Sequence, residues 1–212
     1  MDRDMLKELL FQALETEKGG VQVYETALRC AVNEDLKEEW SKYLDQTKRH
    51  VEIIINVLGT FQFATDQKTP GAEIIEMKGS SLVNAMEKAL AGGDAKAAQL
   101  VAAECVVDAE TKDHLDWELL GEAAKELEGE EAVILKEAVE QVEEEEDEHL
   151  YHSMGWAREL WLEALGLPAV LPPPEEKKEV KTAIGAAKAK QQRGRMIHRR
   201  RPVGSKRTVK AR

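Results

Sequence analysis

The sequence predicts an all-α protein, built as two antiparallel helix hairpins joined by a long crossover and followed by a basic tail. Three observations carry this. Only 5% of the 212 residues are aromatic while 33% are charged, and Ala, Leu, Glu and Lys dominate, a helical composition. Apolar residues recur at three- and four-residue steps through four long segments. Gly and Pro are sparse before residue 166, and five of the six Pro lie after it.

The first helix is expected over residues 2–32, with Leu6, Leu10, Ala13, Val21, Tyr24 and Leu28 on one stripe. The second, over 33–58, opens at a good N-cap residue, Asn33, followed by acids in its first turn. Its stripe is Leu36, Trp40, Tyr43, Ile54 and Val57. The third, over 94–127, carries Leu100, Ala103, Val107, Trp117 and Ala124. The fourth, over 129–165, carries Leu135, Val139, Val142, Trp156 and Leu160 and stops at Gly166 and Pro168. Short joints make hairpins of the first two and of the last two helices. Residues 59–93 form the crossover, in which "SSLVNAMEKALAGGD" reads as a short amphipathic piece; a long crossover is one of the connectivities open to four-helix bundles.

The predicted division is a helical bundle over 1–167, a stiff Pro-rich linker over 168–179 and a basic, disordered tail over 180–212. From residue 175 onward there are 14 Lys and Arg against 3 acids, a net of +11, leaving 16 basic and 38 acidic residues before it, a net of −22. Cys30 and Cys105 lie among apolar residues without CxxC spacing and read as buried free thiols. No N-terminal apolar core resembles a signal peptide, and no apolar run approaches ~20 residues, so a cytoplasmic protein without a membrane span is expected.

Each apolar stripe is interrupted near mid-helix by groups that do not belong in a core. Glu17 follows Leu10 and Ala13; Thr47 and His50 fall between Tyr43 and Ile54, with Asp45 and Gln46 beside them; Glu110 and His114 fall between Val107 and Trp117; Glu146 and His149 fall between Val142 and Trp156. The run "EEEEDEHLYH" at 143–152 therefore reads mostly as a solvated face, with the Glu146-x-x-His149 pair aimed inward and His152 left at the surface. A lone Glu at such a position usually sits at an edge or snorkels. Four interruptions, one per helix, favour a shared site. Buried carboxylates need compensating positive charge, and no Lys or Arg lies on the inner stripes. Divalent metal ions would supply it, since a Glu-x-x-His pair places both ligand heads on one helical face. Tyr24 and Trp117 fit core packing or electron transfer.

These residues resemble the ferritin-like di-metal carboxylate superfamily, whose pattern sets a Glu and a Glu-x-x-His in each half. "EDEH" at 146–149 is similar to the rubrerythrin-type motif, and "ETKD", Glu110 to Asp113, resembles the paired acids of its third helix. A closer likeness is to a small bacterial stress-induced ferritin-like family related to rubrerythrins and manganese catalases, carried by "ETEKGG" (15–20), "LDQTKRHVEIIINVLG" (44–59), "MKGSSLVNAMEKAL" (77–90) and "VVDAETKDHLDW" (106–117). The resemblance spans residues 5–165. It implies a ferritin-like four-helix bundle, two Fe or Mn ions held by Glu17, His50, Glu110, Asp113, Glu146 and His149, with His114 a further candidate from the apolar stripe, and oxidoreductase chemistry of peroxidase, catalase-like or ferroxidase type. Thr47 departs from the pattern, which has Glu three residues before His50; the loss leaves open a weakened metal position, a single-metal site or a relic. Two cysteines cannot build a rubredoxin-like centre. Many such bundles dimerise, so a homodimer is expected.

The tail from Lys188 to Arg212 is open to three readings: non-specific nucleic-acid binding through phosphates, docking to a protein partner, or a tail that only solubilises the chain or folds back on the acidic body. The alternative to a metal enzyme is accordingly a bundle with a vestigial site that acts through its tail.

Overall fold

The computed structural model describes residues 1–199. It is all-α, with no strand among the described residues. The helices are α1 (Arg3–Cys30), α2 (Glu34–Thr60), α3 (Pro70–Ala91), α4 (Ala95–Lys125), α5 (Gly129–Ala164) and α6 (Ala183–Arg199), with a 3-10 turn over Glu176–Lys178. The starts of α1, α2 and α4 are set by side-chain caps. Asp2 accepts from the amides of Asp4 and Met5 at 3.0 and 3.1 Å. Asn33 accepts from Leu36, and Asp94 from Lys96 and Ala97. Helix α5 ends where Gly166 takes φ +70°, with Leu167 N–H bonded to Leu162 O and Gly166 N–H to Glu163 O. That pair of bonds is the Schellman motif, which needs the left-handed residue glycine supplies.

The crossover holds more helix than its sequence announces. Helix α3 starts ten residues before the amphipathic piece, because Thr69 caps Ala72 N–H and Pro70 occupies the first turn. Its buried residues, Ala72, Ile75 and Met86, lie against α1 and α4. Besides this, α1 packs on α2 and α4, and α5 on α4 and α2.

The interior is two apolar clusters separated by a polar layer. One contains Val23, Tyr24, Leu36, Trp40, Tyr43, Val106, Trp156 and Leu160. The other contains Leu10, Phe11, Leu14, Ile54, Val57, Trp117, Leu120, Leu135 and Val142. Each large aliphatic side chain removed from water contributes roughly 1.5–3 kcal/mol, so these clusters hold the helices in register. Between them, α1, α2, α4 and α5 each pass through a stretch assigned to neither cluster: 15–20 in α1, 45–50 in α2, 110–116 in α4 and 143–155 in α5. Cys30 and Cys105 are free and buried. Among the described residues, no helix is long and apolar enough to cross a membrane.

The segment expected as an extended linker is packed instead. After Gly166 the chain lies along the end of α5, with Val170, Glu175 and Val180 buried. Val170 N–H donates to Glu159 Oε2 at 2.8 Å, and both Arg158 Nη atoms donate to Glu175 at 2.8 Å. The approach depends on Gly155, where a Cβ would lie 2.8 Å from Glu175 Oε2 and 3.0 Å from Pro173 Cβ. Residues 183–199, expected to be disordered with a helical stretch allowed over 180–190, form α6. Arg193 Nε donates to the fully buried Glu159 at 2.6 Å, and Lys181 reaches Glu144 and Glu148 at 3.0 and 3.3 Å. Basic side chains read as a free tail are thus matched to carboxylates on α5. The remainder of the expected tail, residues 200–212, lies outside the described residues.

Candidate metal centre

The layer between the apolar clusters brings together five of the seven residues picked out as ligands. One donor atom from each of Glu17, His50 and Glu146 lies within 4.8 Å of the others, and the same holds for Glu110, Glu146 and His149. The two triads share Glu146. His50 Nδ1 is 3.0 Å from Glu146 Oε1 and 3.5 Å from Glu17 Oε1. His149 Nδ1 is 3.3 Å from Glu146 Oε1 and 3.4 Å from Glu110 Oε2. All five residues are at most 3% exposed.

The hydrogen bonding around the triads leaves the inner atoms unused. His50 Nε2 faces Glu145 Oε2 at 2.8 Å and His149 Nε2 faces Gln46 Oε1 at 3.0 Å. Trp117 Nε1 donates to Glu17 Oε1 at 2.7 Å. These Nε2 contacts anchor the imidazoles with Nδ1 toward the carboxylates, the outer support that metal-binding histidines use. Within the layer, Glu17 Oε2, His50 Nδ1, Glu110 Oε2, both Glu146 oxygens and His149 Nδ1 have no hydrogen-bond partner. Buried polar atoms normally find partners. Six bare donors converging on two neighbouring points fit cations: bonds of ~2.1 Å to N and O ligands imply ligand–ligand distances of about 3–4 Å.

Electrostatics agree with this fit. Burial pushes the Glu17 carboxyl up to about 7 against the pull of His50. Burial likewise raises Glu110, helped by the Glu146 charge. Glu146 goes the other way: burial opposes its charge, but His149 and His50 outweigh that and hold it near about 2. Burial also opposes charging of the imidazoles. Glu145, Glu146 and Glu17 nevertheless push His50 up to about 12, and Glu146 and Glu110 push His149 up to about 9. Without a cation, the layer balances its charge with protons.

The remaining assignments fall differently. Asp113 is buried beside the layer, its Oδ1 without a partner, and belongs to neither triad. Burial and the charges of Glu146, Glu17 and Glu110 raise its carboxyl well above the ordinary range. His114 points away, with 27% of its side chain exposed and Nδ1 3.6 Å from Asp147 Oδ1. One residue is about 100° of helix turn, so placing Asp113 inward turns His114 outward. Asp45 is exposed. The Thr47 hydroxyl donates to Tyr43 O at 2.9 Å, and its Cγ2 lies 3.1 Å from where Gly20 would carry a Cβ, so α1 and α2 approach closely at that position.

His152, read as a surface residue, is 3% exposed. Its Nδ1 lies 2.9 Å from Tyr43 Oη and 3.0 Å from Glu39 Oε1, and Tyr43 also donates to Glu39. The signal for it was its place one turn after His149 and one turn before Trp156.

No protein-family model matches the chain, and no curated protein or solved structure shows significant similarity to it.

Proposed function

We propose that this chain is a ferritin-like four-helix bundle that binds two Fe or Mn ions, one by Glu17 and His50 and one by Glu110 and His149, with Glu146 between them. The observation that carries this reading is the pair of triads sharing one carboxylate, each with a bare Nδ1 whose imidazole is anchored through Nε2. The four long helices and the long crossover between their pairs suit the same reading. Carboxylate and imidazole donors suit Fe and Mn. Bound there, such ions supply Lewis acidity and one-electron redox change, the basis for handling peroxide, oxygen or Fe(II) under stress. The chain's own contribution is to fix five ligands on four helices, to orient the imidazoles through Gln46 and Glu145, and to exclude water with the clusters on either side.

Elemental mass spectrometry on protein grown with iron and manganese, beside a Glu146→Ala, His149→Ala variant, tests it. About two equivalents in the parent, lost in the variant, are expected. No metal in either protein would sink the reading.

A further inference from the structure

A cavity of about 250 Å³ opens between α4 and α5 at the level of the polar layer, and its lining includes Glu146 together with His114, Glu118, Glu143 and Asp147. Trp117 and Tyr151 form its walls, and Thr182 and Ala183 at the start of α6 form part of its rim. We propose that this cavity is a vestibule that takes a hydrated divalent cation from solvent and passes it to Glu146. The inference rests on the metal-centre reading and adds the route by which the site is filled.

The lining has four carboxylates and an imidazole, with no Lys or Arg. Its inner end is a carboxylate that is 1% exposed and has no hydrogen-bond partner on either oxygen. The outer members are accessible: Glu118 and Glu143 are exposed, and the side chains of His114 and Asp147 are 27% and 21% exposed. Acidity therefore runs continuously from surface to buried ligand. At ~30 Å³ per water the space holds on the order of eight waters, enough for a cation with much of its hydration shell. A low-dielectric cleft lined by one sign of charge raises the local concentration and entry rate of the opposite sign, typically 10-fold or more. His114 and Asp147 lie 3.6 Å apart, too far for a hydrogen bond but close enough for both to touch one cation. The start of α6 at the rim is held in place by Lys181, which pairs with Glu144 and Glu148 outside the lining.

The test is stopped-flow uptake of Co(II), read from its ligand-field absorption, with equilibrium stoichiometry measured in parallel. A Glu118→Gln, Glu143→Gln, Asp147→Asn variant is expected to fill about 10-fold more slowly at low ionic strength, with unchanged stoichiometry. Ala183→Trp, at the rim, is expected to slow filling without changing the salt dependence. Uptake at the parental rate in both variants would overturn the vestibule and leave the metal centre standing. Stoichiometry falling with rate would overturn it too, because these residues would then be building the site. A parent chain that binds no Co(II) at equilibrium overturns the metal-centre reading, and the vestibule with it.

Discussion

The ring of Tyr43 lies 4.1 Å, centroid to centroid, from the ring of His149, while its hydroxyl is held on the far side by Glu39 and His152. One side chain thus joins the candidate ligand to a second buried polar cluster. Tyr43→Phe keeps the packing and removes the hydrogen bonds, so a loss of about 1 kcal/mol is expected, with metal stoichiometry unchanged. Tyr43→Ala removes the wall against His149 and should cost about 3–5 kcal/mol. Denaturant titration with metal analysis separates the two effects.

Sharing of Glu146 between the triads makes the ligands unequal. Glu17→Gln is expected to remove one equivalent of metal and to leave the Glu110–His149 position filled. Glu146→Gln is expected to weaken both positions together. Elemental analysis of the two variants checks this. Equal losses would argue against a bridging carboxylate.

Protons and metal compete for the same atoms. Loading must displace the proton that His149 retains up to about 9 and the one that Glu17 retains up to about 7. His50 retains its proton further still, up to about 12. Affinity should therefore climb steeply up to about pH 7, less steeply to about pH 9 and more gently above it, with proton release measurable by calorimetry in buffers of different ionisation enthalpy.

The metal-free protein should show the opposite trend. His149 is raised from an ordinary 6.5 to about 9, so its stabilisation is complete below 6.5 and lost as pH rises through 9. Glu17, raised from 4.5 to about 7, likewise stabilises below 4.5 and loses that contribution through 7. Glu146, held near about 2, stabilises above 4.5 and loses that contribution as pH falls toward 2. Thermal unfolding should show a Tm maximum at mildly acidic pH without metal, and a maximum displaced upward in pH when loaded.

Glu159 is fully buried and accepts from Arg158, Arg193 and Val170 N–H. Glu159→Ala removes the acceptor of both Nε groups and of Val170 N–H, while Arg158 keeps Glu175 and Arg193 keeps Pro168 O, and should cost about 1–3 kcal/mol. Gly155→Ala pushes a methyl into Glu175 and Pro173, a strain of about 1–3 kcal/mol. Both should expose α6 to limited proteolysis well before the rest of the chain.

The long helices were legible because their stripes and caps are local signals: Asn33 starts a helix and Gly166 stops one wherever they stand. The inward Glu17, His50, Glu110, Glu146 and His149 were legible as interruptions of those stripes. A stripe is one residue wide, however, whereas α5 is covered by α2, α4 and the returning C-terminal segment, which widens its buried face to include His152 and Glu159. The same narrowness put His114 inside in place of its neighbour. The return of residues 168–199 along α5 could not be read at all, because it depends on Arg158, Glu159, Glu175 and Arg193 meeting across the chain, a pairing that no local periodicity encodes.

Most helical proteins loosen from their ends inward, since terminal turns have fewest neighbours. Here the two apolar clusters clamp both ends, and the layer of unpartnered Glu and His lies at the waist. Without cations, amide exchange should be fastest at mid-helix, around Gly19, Gly20 and Thr47, and a bound ion would act as a rivet where the chain is softest. Metal supply would then govern how long the molecule survives as well as whether it works.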